Sequence, residues 1–290
     1  MSSTKELNEQ SNKDSLKSFT FIRLEKLGIS PSKGLGQNFL INQSIIDKII
    51  FASEIVPSDT VIEVGPGIGA LTRSLVKTGA DIKAIEIDKR LASTLKEAIG
   101  DPENLEVINC DVLESDINTF TNGKPYKVVA NLPYYITSPI IRHFLENDHQ
   151  PSEMVIMVQL EVAQTIMADP GDMSLLALGV QVFGAVSQVC KVTKGNFFPS
   201  PKVDSAVIRI VPYDEPLLRK SERNDFFTLA RAGFSQTRKQ IHNPLSHALP
   251  LEKDDIIDML EKSDIDPRRR AETLSVEEWM RLFEEYKSRI

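Results

Sequence analysis

A chain of 290 residues is long enough for one large domain and a smaller one with a substantial buried core. No stretch approaches the ~18 apolar residues a membrane helix needs, and the polar opening MSSTKELNEQSNKDS holds no run that could serve as a signal peptide; a cytoplasmic protein with no membrane contact is expected. The formal net charge of −7 gives no hint of nucleic acid, yet from Phe226 to Leu251 there is no Asp or Glu, while Arg231, Arg238 and Lys239 stand there and Arg268, Arg269 and Arg270 follow.

Residues 1–15 carry no core-forming pattern and are expected to be disordered, within an N-terminal extension over residues 1–30. From Thr60 onward β-branched runs alternate with segments of helical period: TVIEV (60–64), ALTRSLVK (70–77), DIKAIEI (81–87), KRLASTLKEAI (89–99), LEVIN (105–109), YKVVA (126–130), SPIIRHFLE (138–146) and EMVIMVQ (153–159). Further strands are predicted over Val186–Val192 and Ala206–Val211. The alternation predicts a mostly parallel sheet covered by helices on both faces. Ser138 followed by Pro139 reads as an N-cap and first-turn pair. Cys110 and Cys190 lie in apolar segments without metal-ligand spacing and are expected to be buried reduced thiols, with no disulfide and no metal. After Pro212 the β-runs stop and the chain turns charged and helical, with a capping box from Ser275 to Glu278. A boundary near Tyr213 is predicted, separating an α/β domain over residues 31–212 from a helical domain over residues 213–290.

The first chemical motif is VIEVGPGIGALT (61–72), a strand running into Gly65, Pro66, Gly67, Ile68 and Gly69 before a helix. Glycines there let backbone approach a ligand closely, and a helix N-terminus offers free N–H groups, so a nucleotide-like cofactor is implied. Gly65, Gly67 and Ala70 also satisfy the dinucleotide fingerprint, and Glu86 at the end of the next strand could hold ribose hydroxyls in either case. Asp111 follows the third strand, where it could accept from an exocyclic amine such as adenine N6. Glu63, two residues before the first glycine, is more often the mark of enzymes using S-adenosylmethionine (SAM). No His, Tyr or Lys declares itself as the partner of a nicotinamide.

The stretch KVVANLPYYIT (127–137) ends a buried strand in an amide. Leu132 precedes a proline and is held extended, and Pro133 has no N–H, so carbonyl oxygens around the turn can face a site. The Asn131 amide oxygen and the Leu132 carbonyl are two acceptors aimed at one point, and a neutral NH2 answers them. Tyr134 offers a flat face for stacking, worth roughly 1–3 kcal/mol per base. Adenine has both features, whereas guanine would set its O6 against an acceptor. Tyr135 reads as a packing residue.

Together with GLGQNFL (34–40), AIEID (84–88), NCDVL (109–113), FFPSPKVDSAVIRI (197–210), FSQTRKQIHNPL (234–245) and RRRAETLSVEEW (268–279), these stretches make the chain resemble the ribosomal RNA adenine N6,N6-dimethyltransferases of the bacterial small-subunit type, from about Lys33 to Leu282. The resemblance implies a Rossmann-like SAM-dependent methyltransferase sheet, mostly parallel and of seven strands, with a smaller all-α C-terminal domain that binds RNA. It implies that Asn38, Leu40, Gly65, Glu86, Asp111 and Asn131 surround SAM, that Asn131, Leu132 and Pro133 orient the adenine amine, and that Tyr134 and Phe197 cover the two faces of the base. Arg231, Arg238, Lys239, Arg268, Arg269 and Arg270 are expected to meet phosphates. The implied partner is 16S RNA within a pre-30S subunit, with a monomeric enzyme dimethylating two adjacent adenosines near the RNA 3′ end. Leu160, where the family commonly has Lys, and GDMSLLALG (171–179) depart from the pattern at the rim that meets RNA. The alternatives are a large-subunit dimethyltransferase that confers antibiotic resistance, a DNA adenine methyltransferase, which would more typically carry a second proline at position 132, and an assembly factor on the same fold.

Overall fold

The β-branched runs assemble into one seven-stranded sheet in a computed structural model that describes residues 15–28 and 38–290. In chain order the first elements are α1 (Leu16–Lys26), β1 (Phe39–Leu40), α2 (Gln43–Ala52), β2 (Thr60–Val64), α3 (Thr72–Leu75), β3 (Asp81–Ile85), α4 (Lys89–Ile99) and β4 (Leu105–Ile108). Then come α5 (Ile117–Thr121), β5 (Tyr126–Asn131), α6 (Thr137–Leu145), β6 (Glu153–Gln159), α7 (Leu160–Ile166), α8 (Leu175–Gln181), β7 (Gly184–Val192), β8 (Phe197–Phe198) and β9 (Ser205–Pro212). Four helices close the chain: α9 (Arg223–Phe234), α10 (His242–Ala248), α11 (Lys253–Lys262) and α12 (Val276–Lys287). Two compact units result, one running through Ala163 with Ser187–Val211, the other joining Gln164–Val186 to Pro212–Ile290.

The strand order is β4-β3-β2-β5-β6-β9-β7. β2 pairs in parallel with both β3 and β5, β3 with β4 and β5 with β6, while β9 runs antiparallel to β6. Every residue of β2 is buried, as is nearly all of β6. Strands covered on both faces read as continuous apolar runs, and each fully buried Val or Ile contributes about 1.5–3 kcal/mol. The chain lays down β2, β3 and β4 outward and then returns to place β5 on the other side of β2. That reversal is the topological switch at which such sheets bind ligands, outside the carboxyl ends of the strands.

Several local expectations are corrected. The N-terminal extension contains α1, which buries Leu16, Thr20, Arg23 and Leu24, with the Ser15 Oγ accepting from the Ser18 N–H (3.2 Å). Residues 1–14 and 34–37, the start of GLGQNFL, lie outside the described residues. The segment 70–77 gives only the one-turn α3 and a 3-10 turn (Val76–Thr78), closed by Gly79 at φ 82°. Ser138 and Pro139 sit inside α6, which begins at Thr137 directly after a 3-10 turn (Tyr134–Ile136). Proline is tolerated there because the first N–H groups of a helix have no intrahelical acceptor. Both cysteines are free but only half-buried.

In the second unit, Gln164–Val186 joins the C-terminal helices, so a boundary at Tyr213 alone misses part of this unit. The divergent 171–179 loop is anchored there by the Gly171 and Met173 N–H groups on the Glu272 carbonyl (2.8 and 3.1 Å), and Ser174 caps α8. The capping box at Ser275 and Glu278 is formed, with bonds of 3.2 and 2.8 Å. Gly233 of α9 lies where a Cβ would come within 2.5 Å of Trp279, which stacks on Phe234.

Candidate active site

The carboxyl ends of β2, β3, β4 and β5 converge on a cavity of about 420 Å³, within the range of small-molecule sites. The ladder between β2 and β5 ends at Ile62 and Val128, although β2 continues to Val64 and β5 to Asn131. The cavity lies at the tips of these two strands, lined by Val64 and Asn131. Gly65 leaves β2 at φ 66° with its N–H on the Ile85 carbonyl (2.9 Å), which turns the chain across the end of β3. Gly69, at φ 91°, takes a backbone conformation that other residues rarely adopt, and a Cβ there would displace the terminal methyls of Leu95 (2.7 Å) and Ile99 (2.8 Å) of α4.

Glu86 is buried and holds this loop in place. Its Oε2 accepts from the Gly67 N–H (3.0 Å) and its Oε1 from the Asp88 N–H (2.9 Å). Burial raises its pKa, and the two N–H groups oppose the rise. Glu63, on β2, also lines the cavity and is 2% exposed, with its Oε2 unpartnered among the described residues. Burial pushes its pKa up to about 8, with the Thr72 hydroxyl opposing and the Glu86 charge adding. The sequence marks Glu63 as typical of SAM enzymes but gives it no place in the site; its spacing to Gly65 was the available signal.

Asp111 lines the cavity and accepts from the Leu113 N–H through Oδ1 (2.9 Å), with Oδ2 outside that bond. Asn38, Leu40, Gly65 and Asn131 complete the cofactor residues expected from sequence, and all line the same space. Asn131 is the last residue of β5, and the next N–H, from Leu132, is tied to the Met157 carbonyl (3.2 Å). The Leu132 carbonyl accepts none of the bonds that close the following turn, whereas the Pro133 carbonyl accepts from the Ile136 N–H and the Thr137 hydroxyl (both 3.2 Å). The expectation that Pro133 frees the carbonyls of this turn thus applies to Leu132 only. Tyr134 is held by a 2.8 Å bond between its hydroxyl and that of the buried Ser205, and burial raises its pKa.

Two aromatic assignments are corrected. Phe197 does not line the cavity: paired with Leu40 in the β1–β8 ladder, it is 3% exposed and packed in the apolar core. Its neighbour Phe198 points the other way, as alternation along a strand requires, and meets Phe21 at 4.6 Å between ring centroids. Tyr135, expected to pack, is 65% exposed at the rim of the cavity.

The basic residues expected to meet RNA differ among themselves. Arg231, Arg238, Lys239, Arg268 and Arg270 are exposed, the last two beside Asp266 (2.8 Å) and Glu272 (3.5 Å). Arg269 is committed internally: it pairs bidentately with Glu278, once at 2.9 Å, and donates to the Thr273 carbonyl at 2.6 Å.

The chemistry of the cavity fits a cationic nucleoside cofactor. A glycine turn permits close approach, Glu86 and Asp111 retain acceptor capacity for hydroxyls and an amine, and Glu63 offers a buried carboxyl oxygen, Oε2, with no partner among the described residues. The profile of the family described as "Ribosomal RNA adenine dimethylase" matches residues 30–288. The chain is 46% identical over 264 residues to the ribosomal RNA small subunit methyltransferase A of Dehalococcoides mccartyi (strain CBDB1), covering 91% of each. It is 44% identical to the protein of that name in Clostridioides difficile (strain 630), covering 88% of this chain and 91% of that one. Among solved structures, a dimethyladenosine transferase from Plasmodium falciparum superposes with a TM-score of 0.75 at 29% identity, covering 86% of this chain and 98% of that one. The 23S rRNA methyltransferase ErmE gives 0.68 at 30% identity, covering 86% and 100%.

Proposed function

The chain belongs to the ribosomal RNA adenine dimethylase family, and we propose that it transfers methyl groups from SAM to N6 of two adjacent adenosines near the 3′ end of small-subunit (16S) RNA. The observation that carries this reading is the crevice in which a nucleoside-binding set, Glu63, Glu86 and Asp111, shares one cavity with the Asn131–Tyr134 turn. Identity of 46% to a small-subunit enzyme, against 30% to a large-subunit one, favours the small-subunit substrate.

Bound SAM supplies an electrophilic methyl on its sulfonium. Glu86 and Asp111 would take the ribose hydroxyls and the adenine amine of the cofactor, with Glu63, Asn38 and Leu40 around the rest. The target N6 is a poor nucleophile because its lone pair is delocalised into the ring. Acceptance of its two N–H groups by Asn131 Oδ1 and the Leu132 carbonyl localises that pair, while Tyr134, fixed by Ser205, holds the ring. As the N6–methyl bond forms, the sulfonium–methyl bond would break to leave a neutral thioether, and the surplus N6 proton would pass to water, so positioning and preorganised acceptors supply the acceleration with no dedicated base. The base leaves its stack to enter, which costs a few kcal/mol and is least costly in a loop or at a helix end.

The substrate state we propose is a pre-30S subunit in the cytoplasm, met by a monomer whose second unit contacts phosphates through Arg231, Arg238, Lys239, Arg268 and Arg270. The test is Asn131→Ala. Transfer to undermethylated small subunits should be abolished while the melting temperature stays at wild-type level, and retained dimethylation would remove Asn131 from this role.

A further inference from the structure

Tyr135 is 65% exposed at the rim of the cavity, one residue after the Tyr134 that the reading above places on the target base. The two lie in the 3-10 turn Tyr134–Ile136, where successive side chains are rotated by about a third of a turn. Because Tyr134 is fixed inward by Ser205, Tyr135 is turned away from it. An aromatic ring left in solvent forgoes the burial free energy that keeps Tyr126, 1% exposed at the start of β5, in the core. Neither packing nor a hydrogen bond of its hydroxyl among the described residues explains the ring.

We infer that Tyr135 is a positioning residue that stacks on the base next to the target adenosine and holds the strand at the mouth of the site. The inference rests on the proposed RNA substrate. A base pulled from its helix leaves its neighbour with an exposed face, and a flat ring at the rim, adjacent in the chain to the residue holding the target, is placed to cover it. Stacking of this kind is indifferent to sequence because every base has a π-face. The hydroxyl is not required, so Phe or Trp should serve as well.

The experiment compares wild type, Tyr135→Ala, Tyr135→Phe and Tyr135→Trp with labelled SAM and undermethylated small subunits. Alanine should lower kcat/KM for the subunit by roughly five- to 150-fold, mainly through KM, the range of stacking losses. Phe and Trp should restore most of that loss, and all four proteins should share one SAM affinity and one melting temperature. A wild-type kcat/KM in Tyr135→Ala, an equal defect in Tyr135→Phe, or a parallel loss of SAM affinity would each overturn the inference, the last by placing the ring on the cofactor. If wild type itself leaves N6 unmodified, it is the proposed function that fails, and the control in the same experiment shows it.

Discussion

Glu63→Gln removes a carboxyl that the fold buries and pushes from the ordinary 4.5 up to about 8. In the unfolded chain this group loses its proton near the ordinary value; in the native protein it keeps the proton until about pH 8. Across that window the native state binds the extra proton, so stability falls with rising pH by at most about 1.4 kcal/mol per pH unit. The contribution is fully present below the unfolded value and is lost as pH rises through the folded one. Over the whole window the loss has an upper limit of about 5 kcal/mol. Glutamine has the shape of the protonated acid and does not titrate, whereas Glu86, also raised, titrates in both proteins and largely drops out of the difference. Urea unfolding of both proteins without SAM, at intervals from pH 5 to pH 9, should show the variant gaining on wild type up to about pH 8 and holding its advantage beyond. Parallel stability profiles would mean that Glu63 ionises in the native protein as freely as in water, against the effect of its burial.

Gly69→Ala should destabilise the protein by about 2–4 kcal/mol, from the φ of 91° together with the push on Leu95 and Ile99, read as a lowered urea midpoint. Reversing Arg238 and Lys239 to Glu should weaken binding to undermethylated small subunits and flatten its salt dependence, while calorimetry finds SAM affinity unchanged. Arg269→Ala should instead lower stability by about 1–3 kcal/mol, because the half-buried Glu278 carboxylate loses its bidentate partner, and Arg268→Ala should leave the melting temperature unmoved.

The centre of the sheet was legible in the sequence because β2 and β6 are buried on both faces, so runs such as VIEV and VIMV cannot be read as anything amphipathic. The residues that line the cavity were legible for a related reason: Gly65, Glu86, Asp111 and Asn131 each end or follow a strand, and strand ends are where an open sheet gathers its ligands. What escaped depends on three-dimensional neighbours. Phe197 and Phe198 are chemically alike, and only the pairing with Phe39 and Leu40 sends the first into the core. Arg269 looks like its two neighbours until Glu278 is brought beside it by the start of α12. Helix α1 carries a mean amphipathicity too weak to stand out from its polar flanks, and its burial of Leu16, Thr20 and Leu24 comes from packing on the first unit. The exposure of Tyr135 follows from a 3-10 turn that no residue preference announced.

If this crevice methylates adenine N6 in small-subunit RNA, the nucleotides that receive the methyl group will show it. Incubation of the protein with methyl-labelled SAM and either undermethylated small or large subunits, followed by mapping of the labelled nucleotides, tests it most directly. Label is expected as N6,N6-dimethyladenosine at two adjacent positions near the 3′ end of the small-subunit RNA. Label confined to large-subunit RNA, or absent from N6, would contradict it.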